Sequence, residues 1–250
     1  MEAMDGPINF GNRDRWWGLL IEGFDREPNY QCNYNFPYYQ KFFEDYGFQV
    51  YFYQLTFGRP IQGPIDPRLL EKSLLVEKDP NYRFDYIRKS DWGKLPELIR
   101  TIYNQAWAKR GEIPELTEAQ AKHLILQMKP IMDERLLWFG FYKDEPIAFF
   151  LSLPEVNQIF KHVNGKLDLI GKLKFVWHKL MRTNKKAFGI LFGLVPEHQG
   201  KGVDGAIIEN FRKFAHGGGI PYTYYEMNWI GDFNPKMIRV VEQINAPVVK

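Results

Sequence analysis

The chain has 250 residues, 45% of them apolar and 25% charged, with a formal net charge of +3. That balance excludes a disordered segment and a strongly basic nucleic-acid binder, and fits one large globular domain or two small ones. The lone Cys32 excludes an internal disulfide, no basic leader precedes an apolar core, and no apolar run reaches bilayer length, so a cytoplasmic protein in a reducing compartment is expected.

In chain order, Trp16 to Phe24 reads as a loop lining a cleft. Asn35 to Phe48 reads as a helix opened at Pro37 and stopped at Gly47, followed by an aromatic strand over 49–57. Pro60, Pro64, Pro67 and Pro80 mark 58–81 as a semi-rigid linker, with a short helix over 68–77 in its middle. Tyr82 to Arg88 alternates as a strand does. Leu95 to Ala108 carries helical apolar spacing, with Pro96 in the first turn and Gly111 past its end. Thr117 and Gln120 form a capping-box pattern that opens a helix through about Lys129. Two apolar runs, Leu136 to Tyr142 and Pro146 to Leu153, flank the turn-forming Lys143-Asp144-Glu145.

Lys161 to Lys186 is basic and amphipathic, with Asp168 as its lone acid. Such a stretch suits an anionic membrane, an acyl carrier or a cleft cover; a solvated helix packed on the sheet explains it equally. A strand over 187–195, a helix over 206–215, a strand over 221–229 and a helix from Asn234-Pro235 complete the order. The last helix places Met237, Ile238, Val241 and Ile244 on one face.

The most specific pattern is V-P-E-H-Q-G-K-G-V-D-G, Val195 to Gly205, between a strand and a helix. Glycines let backbone amides approach an anion closely, the helix start adds partial positive charge, and Lys201 adds a full one. Gln199-Gly200-Lys201-Gly202-Val203 resembles the pyrophosphate-binding signature of the GNAT superfamily of acyl-CoA N-acyltransferases, Q/R-x-x-G-x-G/A. Asp204 stands where that signature ends on a small residue, with Gly205 one place later. The element order over 82–245 is that of a GNAT domain, so an α/β fold with a mixed sheet is expected for 82–250.

The resemblance implies acetyl-CoA or another acyl-CoA as co-substrate and a small-molecule or peptide amine as acceptor. It implies coenzyme contacts from Leu194, Val195, Gln199, Gly200, Lys201, Gly202, Val203, Gly205 and Asn234, with Leu194–Val195 as carbonyl-polarising amides. An N-cap role explains Asn234 equally. Glu226 is the candidate general base, although a lysine partner or solvent would also account for it; Asn228 shares its strand face and suits a carbonyl. No tyrosine follows Pro235 to act as acid, which leaves a non-catalytic acyl-CoA-binding module as the alternative. His162, His178 and His198 lack ligand spacing, so no metal is expected.

Residues 1–57 resemble the back half of a further GNAT-like domain, as in a truncated tandem chain. Aligning Pro37 with Pro235 places Glu44 on Glu242. Only 246–250 follow the last helix, so either the chain is truncated or the strand at 48–57 supplies edge pairing; an unpaired edge would favour a homodimer.

Overall fold

The structure is a computed structural model that describes residues 4–8, 17–108 and 114–250. Trp16 and Gly111 lie outside the described residues. Six strands form one mixed sheet: β1 (Gln54–Pro60), β2 (Tyr82–Tyr86), β3 (Leu137–Tyr142), β4 (Glu145–Pro154), β5 (Lys186–Leu194) and β6 (Tyr224–Gly231). Their spatial order is β1-β6-β5-β4-β3-β2. Every neighbouring pair is antiparallel except β5–β6, which is parallel.

Among the described residues the α-helices are α1 (Tyr38–Tyr46), α2 (Pro67–Glu77), α3 (Leu95–Ala106), α4 (Glu118–Met128), α5 (Asn157–Phe160), α6 (Leu169–Leu180), α7 (Val203–His216) and α8 (Pro235–Gln243). Alternation along β4 divides them between two faces. Phe149 meets Trp107 at the end of α3, while Phe150 meets Phe211 of α7. Thus α3, with α4 beside it, covers one face, and α7, with α2 beside it, covers the other.

Local chemistry sets most boundaries. Thr117 and Gln120 form the reciprocal capping box at α4. Lys143 and Asp144 both adopt positive φ, the conformation of a tight hairpin turn between β3 and β4. Asp66 accepts from the Arg68 amide and Pro67 opens α2. The segment 58–81 holds the end of β1 and all of α2, so it lies within the same layers as 82–250. Gly205 lets α2 approach α7: a Cβ there would sit 2.8 Å from Leu69.

The amino-terminal strand differs in register from the sequence expectation of 49–57. It begins at Gln54 and runs to Pro60, because its pairing is fixed by β6: Gln54 opposes Gly231 and Pro60 opposes Tyr224. Pro60 is tolerated at the strand's last position. The outer edge of β1 is covered by 247–250, with Thr56 N–H donating to Lys250 O at 2.8 Å and Gly58 N–H to Pro247 O at 3.0 Å. The helix expected over 206–215 starts earlier, at Val203, directly after Gly202 with φ of 87°.

Candidate active site

Three features lie along β5 and β6 and the turn that follows β5. The first is the glycine turn. Gly200 and Gly202 both adopt positive φ, at 74° and 87°. Nothing lies within 4 Å of a Cβ built on Gly200, so that side of the turn is open. On the other side a Cβ on Gly202 would sit 3.0 Å from Lys72 of α2. Among the described residues, no protein acceptor takes the amides of Gly200, Lys201, Gly202, Val203 or Asp204. Among the described residues, Asp204 of the first turn of α7 makes no side-chain hydrogen bond to the turn amides.

The approach to the turn is braced from two sides. Gln199 Nε2 donates to Leu194 O at 3.0 Å. His198 Nδ1 lies 2.8 Å from the Tyr82 hydroxyl of β2. Burial, with Lys201 nearby, holds His198 below the usual histidine range. Lys201 is exposed, whereas Val203 and Gly205 are buried in the α7 packing. These two therefore reach the turn by backbone alone. Asn234 caps α8, its side chain accepting from the Met237 amide at 3.2 Å.

The second feature is an opening in the sheet. β5 and β6 pair from Lys186–Tyr224 to Gly189–Met227 and then part, although β5 continues to Leu194 and β6 to Gly231. The Val195 amide donates to Ile147 O at 2.9 Å and is therefore engaged with β4. Alternation along the strand turns the Leu194 amide the other way, toward the gap.

The third feature is a cavity of about 750 Å³ beside that gap. Trp17, Leu20, Phe52, Leu55, Phe188 and Ile190 give it apolar walls. The loop expected to line a cleft does so from Trp17 to Glu22. Its polar wall is formed by Asn29, Cys32, Asn228 and Lys250.

Behind that wall lies a buried polar cluster. Lys250 Nζ donates to Glu226 Oε2 at 2.8 Å, and Lys186 Nζ approaches the same oxygen at 3.4 Å. Lys186 also donates to Asn29 Oδ1 at 2.8 Å, and Asn29 Nδ2 donates to Asn228 Oδ1 at 2.9 Å. Asn228 Nδ2 in turn lies 3.3 Å from Cys32 Sγ. Burial pushes the Cys32 thiol up to about 11 and holds the Lys250 ammonium below the usual lysine range. Glu155, also fully buried, accepts from the Tyr30 and Asn157 amides, and burial raises its carboxyl.

Glu226 and Asn228 thus share one face, as alternation predicts. Glu226 does not line the cavity; it reaches the wall through Lys250. Asn29, Glu155, Lys186 and Lys250 carried no motif in the sequence. Their only signal was polarity beside apolar strand ends or within the amide-rich P-N-Y-Q-C-N stretch, 28–33.

No protein-family model matches the chain. It is 24% identical over 245 residues to the bacterial ceramide synthase of Caulobacter vibrioides, covering 96% of this chain and 63% of that protein. It is 25% identical over 253 residues to protein YghO of Escherichia coli, covering 99% of this chain and 63% of that one. The chain therefore spans less than two thirds of the length of either curated relative. Among solved structures, a GCN5-related N-acetyltransferase from Sphaerobacter thermophilus superposes with a TM-score of 0.50 at 10% identity, over 84% of this chain and 52% of that one. The chain has the GCN5-related N-acetyltransferase fold, a mixed α/β architecture.

Proposed function

We propose that this protein is an acyl-CoA-dependent N-acyltransferase whose acceptor is an amine carrying a long apolar chain. The observation that carries this reading is the parting of β5 and β6 between an open glycine turn and an apolar cavity. Unpartnered amides from Gly200 to Asp204, the start of α7 and Lys201 suit a diphosphate. A bound acyl-CoA would supply the thioester carbonyl at the gap.

The chain's own residues have distinct parts in this reading. The Leu194 amide is the donor aimed at the carbonyl oxygen. Asn228, held by Asn29, orients the amine or the nascent amide from the cavity wall. Glu226 is a positioning residue that acts through Lys250, and Lys186 approaches the same carboxylate oxygen. The relative named a ceramide synthase supports a lipid amine as acceptor, since a ceramide is an N-acylated long-chain amino alcohol. The apolar walls of the cavity are the matching feature in this chain.

A second reading, an acyl-CoA-binding module without turnover, is favoured by the enclosure of Glu226 between two lysines. One experiment separates the two. The full chain is incubated with acetyl-CoA or palmitoyl-CoA and with sphinganine, hexadecylamine or spermidine, and thiol release and amide product are measured. Amide formed from sphinganine or hexadecylamine but not spermidine supports the proposal. Thermal stabilisation by a coenzyme ester without thiol release supports the module. Neither stabilisation nor product would remove both readings.

A further inference from the structure

We propose that α6 is a docking element that lays the protein on the surface of an anionic bilayer. Such docking does not depend on the reaction the site performs.

At 3.6 residues per turn, Leu169, Ile170, Leu173, Val176, Trp177 and Leu180 fall on one arc of roughly 120°. All six are exposed, with Leu169 at 74%, Leu180 at 73% and Trp177 at 62%. Gly171, Phe175 and His178 fall on the opposite arc and hold the helix to the body. Phe175 packs on Phe160 at 5.5 Å, and His178 stacks on His162 at 4.1 Å. The apolar face therefore points directly away from the protein, the reverse of an ordinary surface helix.

The charges bordering this face specify its occupant. Lys172 falls along one edge of the arc and Lys174 along the other, while Lys179, beside Lys172, donates to Pro130 O at 2.8 Å. Lys166 and Arg182 extend the basic rim at the two ends. Asp168, the lone acid of 161–186, is used as the cap of α6, accepting from the Gly171 amide at 2.8 Å. An aliphatic and tryptophan stripe between lysine edges matches a bilayer interface, where apolar side chains enter the acyl boundary and lysines meet acidic headgroups. Among the described residues no helix is long and apolar enough to cross a membrane, so this contact lies in the interface plane.

The docking face is also connected to the cavity. Phe160, which carries Phe175 of α6, packs on Tyr30 at 5.5 Å, and Tyr30 lines the cavity.

The test is co-sedimentation of the full chain with vesicles of phosphatidylcholine alone or of equal parts phosphatidylcholine and phosphatidylglycerol. Two variants are compared, Leu173→Glu with Trp177→Glu, and Lys172→Glu with Lys174→Glu. All four side chains are exposed, so circular dichroism and the thermal midpoint should match those of the parent. The expected result is binding about tenfold stronger to the anionic vesicles, weakened by raising salt from about 0.1 M to about 1 M. The stripe variant should lose that binding about tenfold or more, and the lysine variant should lose the anionic preference. Equal pelleting of parent and stripe variant would overturn the proposal, as would a parent that stays in the supernatant. A dimer that the stripe variant converts to monomer, without vesicle binding, would assign the face to a second copy instead.

Discussion

Lys250 and Glu226 form an ion pair in which both side chains are almost wholly buried, 9% and 3% exposed. Lys250 lies on the segment that runs along the outer edge of β1, and Glu226 lies on β6 across that strand. The pair therefore ties the sheet edge to the cavity wall.

Removing the carboxylate should be far more damaging than removing this lysine. Glu226→Gln leaves two buried ammonium groups without a counter-charge, a loss of about 3–5 kcal/mol. Lys250→Met leaves Glu226 paired with Lys186 and removes one desolvated charge, so about 1 kcal/mol or less is expected. Urea unfolding of both variants checks the ranking. The opposite order would show that Lys186 does not compensate Glu226.

The two glycines of the turn should separate binding from folding. Gly202→Ala meets both a positive φ and the backbone and Cβ of Lys72, so it should destabilise the fold by about 2–3 kcal/mol. Gly200→Ala meets open space and bears only the left-handed penalty of about 1–2 kcal/mol. If the open side of the turn receives a diphosphate, Gly200→Ala should weaken coenzyme A binding beyond that loss. Thermal melts with and without coenzyme A measure both effects. An unchanged ligand shift in Gly200→Ala would move the anion elsewhere.

The parts legible in the sequence are those written within a few residues. The turn at 199–203, the capping box at Thr117 and the hairpin at Lys143-Asp144 each need only neighbours to form. Alternation likewise placed Glu226 and Asn228 on one face. The edge strand was misplaced by several residues because its register depends on β6, some 170 residues away. The same limit hid the engagement of the Val195 amide, whose acceptor belongs to β4.

The polar cluster was less legible still. Asn29, Glu155, Lys186, Glu226 and Lys250 come from five separate segments, too far apart in sequence for any local pattern to join two of them. The basic stretch was legible as amphipathic, but its pattern alone fits burial of the apolar face as well as exposure. Only the packing of Phe175 and His178 reveals which face looks outward.

Cys32 should be a slow nucleophile despite lining the cavity. With its pKa raised by burial from 9.0 to about 11, almost all of it is thiol at neutral pH. Since the thiolate is the reactive form, alkylation by iodoacetamide near pH 8 should run about 100-fold slower than in the unfolded chain. The rate should keep climbing with pH to about 11. A plateau near pH 8 or below would contradict the environment described.

Glu155 gives a prediction with a definite sign. Burial raises its carboxyl above the ordinary glutamate value of 4.5, so the native state binds this proton more tightly than the unfolded state does. Its contribution to stability is therefore complete below 4.5 and is lost as pH rises through the raised value. Glu155→Gln retains an acceptor for the Tyr30 and Asn157 amides and removes the titration. The extra amide hydrogens add a cost that does not vary with pH. The stability of the variant relative to the parent should accordingly improve as pH rises from about 4.5 toward 7, each pKa unit corresponding to about 1.4 kcal/mol. Histidines that titrate in this range are common to both proteins and cancel in the difference. Urea unfolding of the two proteins across that range provides the comparison, and a difference that stays flat or falls with pH would mean that Glu155 is no more basic in the native state than in the unfolded chain.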